Sequence, residues 1–169
     1  MTKIASGLLG DLLADIGGRL SAPTTICVVG GTASILLGQP ERQTRAIDIW
    51  GPESDFDTIA LKGACERAAI HLQILRPGIT MFPERFAVEK LGRFGNLTLV
   101  MPPPGLIVAT KLARGWESDL EDAAWWIRER RLSDADIESG IAAIPQPENQ
   151  DAARENLFLV QLVAGRRKS

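Results

Sequence analysis

Residues 25–50 read TICVVGGTASILLGQPERQTRAIDIW, and the architecture follows from this stretch. Thr25 to Val29 is β-branched and apolar, which predicts a buried strand. It runs into Gly30-Gly31-Thr32 and a short helical run, Ala33 to Leu37, ended by Gly38. A polar link carrying Arg42, Thr44 and Arg45 leads to a second short strand, Ala46 to Trp50. Physically, a strand entering a Gly-Gly-Thr turn at a helix start is an anion site. Glycine lets the backbone approach a phosphate, the first helical amides point outward, and the Thr32 hydroxyl adds a donor. By itself such a turn is only tight backbone geometry. Asp48 gives it weight, because an acid inside Ile47-Asp48-Ile49-Trp50 is costly unless it faces a site or a partner. Ala46 and Asp48 alternate onto the same strand face.

Working outward, Leu8, Leu9, Leu12, Leu13, Ile16 and Leu20 recur at helical spacing behind a capping Ser6. Asp55 is expected to cap a helix running to about Ile70, with Ile59, Leu61 and Cys65 towards the core. Residues 71–75 and 85–91 look extended. A Gly92–Asn96 turn joins the second of these to Leu97–Met101 as a hairpin, stopped by Pro102-Pro103-Pro104. The remainder reads as helices over about 106–116, 120–131, 133–144 (capped by Ser133) and 151–163. The order predicts an α+β, α/β-like fold in one domain of residues 1–169. A core of residues 1–104 holds a small mixed sheet with few helices, and residues 105–169 add a helical part.

Bulk properties agree with one sizeable core: 169 residues, 45% of them hydrophobic. A net charge of -2 demands no nucleic acid, so a polyanion would need a local basic patch. Cys27 and Cys65 have no metal or disulfide spacing and read as buried thiols, and nothing resembles a signal peptide or a membrane span. These features lead to the expectation of a cytoplasmic protein with no membrane partner.

The pattern Gly-Gly-Thr-Ala, a spacer, then Arg42-x-Thr44-x-Ala46-x-Asp48 resembles the signature of minimal nucleotidyltransferases of the DNA polymerase beta superfamily. It is similar to the abortive-infection type IV toxins and their nucleotidyltransferase-like relatives. The resemblance implies the nucleotidyltransferase fold and metal-dependent transfer of a nucleotide from a nucleoside triphosphate to RNA (a tRNA end) or a protein hydroxyl. It also implies a toxin role with a cognate antitoxin. Gly30, Gly31 and Thr32 would then hold the triphosphate, with Arg42 and Thr44 at the Arg-x-Thr positions beside them. In that family two aspartates on alternate positions bind magnesium. Asp48 matches the second, but the first is Ala46, whose methyl group ligates nothing. Ala46 marks either a naturally degenerate, non-catalytic binder or an inactivated form of an active enzyme. The intactness of the surrounding motif favours the second.

A later block, GLIVATKLARGWESDLEDA at 105–123, resembles the family's Lys, Arg and Asp-x-x-Asp motifs. Lys111 and Arg114 lie three apart on one helical face and would meet the triphosphate, while Asp119 or Asp122 would orient Lys111 or the acceptor. Taken alone, Lys111 reads as a solvated surface lysine, and the two acids as first-turn residues favouring the helix dipole. The resemblance covers 27–50 and 106–123 well and the rest only by element order. Glu89 stands where the superfamily sometimes carries a third carboxylate, although a hairpin glutamate is usually just solvated. His71, the only histidine, leaves a histidine dyad or a histidine-based zinc site without its parts and reads as a structural residue at a helix end. Trp125-Trp126 reads as core packing plus one outward ring, with Trp116 nearby. Arg128–Arg131 and the terminal Arg166-Arg167-Lys168 read as solvated ends that could touch RNA phosphates.

Overall fold

The computed structural model describes residues 6–78 and 81–166, with the side chains of Ser6, Gly165 and Arg166 outside the description. Capping by Ser6 and the basic side chains at 166–168 therefore lie outside the described residues. The chain divides into two compact units: Met1–Arg76 with Arg85–Pro102, and Pro77–Glu84 with Pro103–Ser169.

The first unit carries every strand among the described residues. Helix α1 (Ser6–Arg19) is followed by β1 (Thr24–Cys27), α2 (Gly30–Leu36), β2 (Ala46–Trp50), a 3-10 turn at Gly51–Glu53, and α3 (Thr58–Arg67). Then come β3 (His71–Leu75), β4 (Glu89–Phe94) and β5 (Leu97–Met101). Strand β5 lies between β1, parallel to it, and β4, antiparallel to it, while β2 and β3 pair in parallel. The two sheets meet where Val28 bridges Ile49 in antiparallel sense and Val29 N donates to Asp48 O at 3.0 Å. This seam carries the end of β1, and so the glycine turn, alongside Asp48. A mixed α+β class results.

Burial explains which periodic residues matter. Leu9, Leu13 and Ile16 of α1 are fully buried, whereas Leu8 lies off that stripe and is exposed. The cap of α3 is Asp57, whose Oδ1 accepts from Ala60 N at 2.9 Å, and not Asp55. Asp55 is instead drawn into a backbone bridge with Thr25, and Ile59 turns outward on a helix that begins later than expected. Gly92 falls inside β4 at a register shift, which leaves the hairpin a tight Gly95-Asn96 connection. Cys27 and Cys65 are buried free thiols. Burial, helped by the nearby acids Glu53 and Glu66, pushes them up to about 12 and about 11.

The second unit is helical: α4 (Pro104–Arg114), α5 (Glu117–Glu129), α6 (Asp134–Ala143) and α7 (Pro147–Arg166). Ser133 caps α6 reciprocally, with Asp136 N donating to its Oγ at 3.1 Å and Ser133 N donating to Asp136 Oδ2 at 2.9 Å. That backbone donor, followed by the Ser133 side chain, holds the Asp136 carboxyl below its usual range. Helices α4 and α6 touch backbone to backbone. A Cβ at Gly140 would run into the Gly105 carbonyl, and one at Gly105 into the Asp136 carbonyl. Gly140→Ala is therefore expected to cost about 2 kcal/mol or more, because the obstacle is backbone that cannot swing away. Urea unfolding followed by circular dichroism measures this, and an unchanged midpoint would refute the close crossing.

Candidate functional site

The residues singled out at the glycine turn converge. Gly30 has a φ of +61°, a conformation that a side chain strains, and a Cβ there would lie 3.2 Å from Asp48 Oδ2. Both features disfavour a side chain here, and the second places the Asp48 carboxylate directly over the turn. The guanidinium of Arg42 packs on Gly31, its Nε 3.6 Å from the position a Cβ would take, with Thr44 Cβ beside it at 3.9 Å. A carboxylate and a guanidinium therefore flank two successive glycines. Asp48 and Arg42 are both half-buried, so neither is a solvated surface charge.

Thr32 and Thr44 have a different task from the phosphate contact expected of them. Thr32 is fully buried. Its hydroxyl donates to Ala46 O and accepts from Asp48 N, both at 3.3 Å, which ties α2 to β2. The Thr44 hydroxyl donates to the same Ala46 carbonyl at 2.7 Å and accepts from Ala46 N at 3.3 Å. Both threonines fix the start of β2, and with it the direction of Asp48. Their hydrogen-bond donors point inward, so the approach to a ligand is left to backbone amides, Arg42 and Asp48.

At Ala46 the carbonyl is already engaged by two hydroxyls and the methyl contributes no ligand. A divalent cation would find one carboxylate here, Asp48. Among the described residues, no group of three or more histidine, cysteine or acidic side chains comes together to hold a metal ion. A single carboxylate fits magnesium that arrives with the oxygens of a triphosphate, and does not fit a two-metal clamp. Register adds two neighbours that strand-by-strand reading passed over. His71 pairs with Ala46 and Gln73 with Asp48 along β2–β3, and both are exposed. The only sequence signal for them was the alternation of residues 71–75; the pairing partner is not written in either strand. Glu89 opens β4 opposite Met101 and is half-buried.

In the helical unit, the later motif forms a second constellation. Lys111 is a buried residue, contrary to a solvated lysine, and its Nζ donates to Asp122 Oδ2 at 3.0 Å, with each side chain about 5% exposed or less. Burial of α4 on almost all sides explains this: only Thr110 and Arg114 escape the buried set. Arg114 grips Asp119 with two bonds, Nε at 2.7 Å and a terminal nitrogen at 2.5 Å, and Asp119 also accepts from Trp116 N at 3.4 Å. Asp119 and Asp122 are therefore buried ion-pair partners across the α4–α5 turn, beyond any favour to a helix dipole. Trp126 is buried in the core with Trp125 edge-on at 5.7 Å and half-buried. Trp116 lies exposed with the Arg114 guanidinium 5.6 Å from its ring centre. Arg128, Glu129, Arg130 and Arg131 are exposed at the end of α5.

No helix among the described residues is long and apolar enough to cross a membrane. No family model matches the chain, no curated protein matches it, and no solved structure matches it.

Proposed function

We propose that this chain is a nucleotidyltransferase-type protein that binds a nucleoside triphosphate at the Gly30-Gly31 turn. The observation that carries the reading is the Asp48 carboxylate set 3.2 Å from the Cβ position of Gly30, with the Arg42 guanidinium over Gly31. Phosphate oxygens would meet turn amides and Arg42, while Asp48 would hold magnesium carried by the triphosphate. The element order supports this assignment: strand, glycine turn, short helix, then an antiparallel neighbour presenting the acid. In an active relative of this design, a carboxylate at position 46 would complete the metal clamp. The nucleotide would pass to a tRNA end or a protein hydroxyl, as in a toxin with a cognate antitoxin.

Ala46 favours a second reading for the chain as it stands: a nucleotide-binding module without catalysis, acting through a partner. Both readings require the same binding step. Calorimetry with ATP, GTP, CTP and UTP in the presence of magnesium is expected to give saturable binding of at least one of them. Arg42→Ala should weaken it by about tenfold or more, as for loss of one charge-assisted contact. Asp48→Asn should remove its magnesium dependence. Absence of heat with all four nucleotides, from folded protein, would sink both readings.

A further inference from the structure

Strands β2 and β3 pair in parallel, and partners in such a pair turn their side chains to the same face. On one face Ile47 and Ile49 are buried, with Leu72 and Ile74 half-buried beside them, so this face belongs to the core. The opposite face carries Ala46 and Asp48 from β2 and, in register with them, His71 and Gln73 from β3. Both β3 residues are exposed. Gln73 stands directly across from Asp48, one strand spacing of about 4.8 Å away.

The glycine turn and β3 lie on opposite sides of β2. Ile49 shows this, being bridged by Val28 on one edge and paired with Ile74 on the other. Asp48 therefore stands between the Gly30 turn and Gln73. The two sides differ in chemistry. The turn side has backbone amides and the Arg42 guanidinium, which packs on Gly31. The β3 side offers a primary amide and an imidazole, and neither a guanidinium nor an ammonium at positions 71 or 73. Phosphate charge gathers where the guanidinium is, which leaves the uncharged part of a nucleotide to extend over β3. The ribose is bonded to the phosphate chain, so it is the part that falls within a glutamine's length of Asp48. A hydroxyl both donates and accepts, and the Gln73 amide supplies one partner for each role.

We propose that Gln73, with His71 beside it, holds the ribose hydroxyls and makes the site selective for ribonucleoside triphosphates. The inference rests on the glycine turn being a triphosphate site.

Calorimetry of the full chain with magnesium tests it, comparing ATP, GTP, CTP and UTP with their dideoxy counterparts. Each counterpart keeps the phosphates and lacks both ribose hydroxyls. The wild type is expected to bind the ribose form at least about tenfold more tightly. Gln73→Ala should remove most of that preference by weakening the ribose form alone, and His71→Ala should reduce it. Arg42→Ala, in contrast, should weaken both forms by the same factor. Equal binding of both forms by the wild type overturns the proposal and leaves the triphosphate site standing. So does a Gln73→Ala variant that keeps the full preference, which would give the β3 face to the acceptor. Binding of no nucleotide at all overturns the glycine-turn reading, and this inference with it.

Discussion

Ala46→Asp is expected to give magnesium-dependent transfer of a labelled nucleotide well above that of the parent chain, if the proposed nucleotide site holds. The substitution asks little of the structure. Position 46 opens β2, is only half-buried, and shares a strand face with Asp48. Its backbone is pinned by the Thr32 and Thr44 hydroxyls, so a carboxylate there would project from a fixed origin. Two carboxylates on alternate positions would then bracket metal ions against the phosphates that the proposed Gly30-Gly31 site would hold. A completed clamp stabilises charge developing on the attacking and leaving oxygens by several kcal/mol, or roughly a thousandfold in rate. The measurement is transfer of label from each of the four α-labelled triphosphates to total RNA and total protein. Asp48→Asn in the same background should abolish the gained activity. Cells expressing Ala46→Asp should also grow poorly if transfer is toxic. Folded Ala46→Asp that binds nucleotide yet transfers nothing would leave the binding-module reading in command.

The sequence made the glycine turn legible because local chemistry dictates it. A φ of +61° with a carboxylate 3.2 Å from where a Cβ would be favours glycine, and an acid inside AIDIW must have a reason. The α+β class followed from element order for a similar reason, since β-branched runs and helical periodicity are written residue by residue. What was illegible depends on partners remote in sequence. Nothing in residues 71–75 says that His71 will lie in register with Ala46, because register belongs to a pair of strands. Asp55 and Asp57 are equally good caps in isolation; the backbone bridge from Thr25 to Asp55 decides between them. The hydroxyls of Thr32 and Thr44 were legible as donors but not in direction, and the backbone of β2 captured both. Lys111 shows the same limit most sharply. Its spacing from Arg114 is visible, yet only the packing around α4 turns an apparently surface lysine into a buried one.

That burial sets the last expectation. Lys111→Met removes the cation facing Asp122 and leaves a carboxylate that is 3% exposed with its ammonium partner gone. Breaking a buried ion pair from one side costs about 3–5 kcal/mol, because the remaining charge keeps its desolvation penalty and loses its compensation. For a chain of this length the melting temperature should fall by on the order of 10 °C. Asp122→Leu alone should also be harmful, because it removes the carboxylate to which Lys111 Nζ donates. The double variant Lys111→Met/Asp122→Leu removes both charges and should be clearly more stable than either single one, since two apolar side chains need no ion partner. The cycle therefore closes with a large favourable coupling, read from three melting curves beside the wild type. Nucleotide calorimetry on the double variant then separates structure from function. Retained binding would assign Lys111 to holding α4 against α5. A double variant that regains stability but loses triphosphate binding would show that the lysine also serves the ligand. If Lys111→Met instead melts with the wild type, the buried pair contributes nothing to stability, and the structural account of this motif fails.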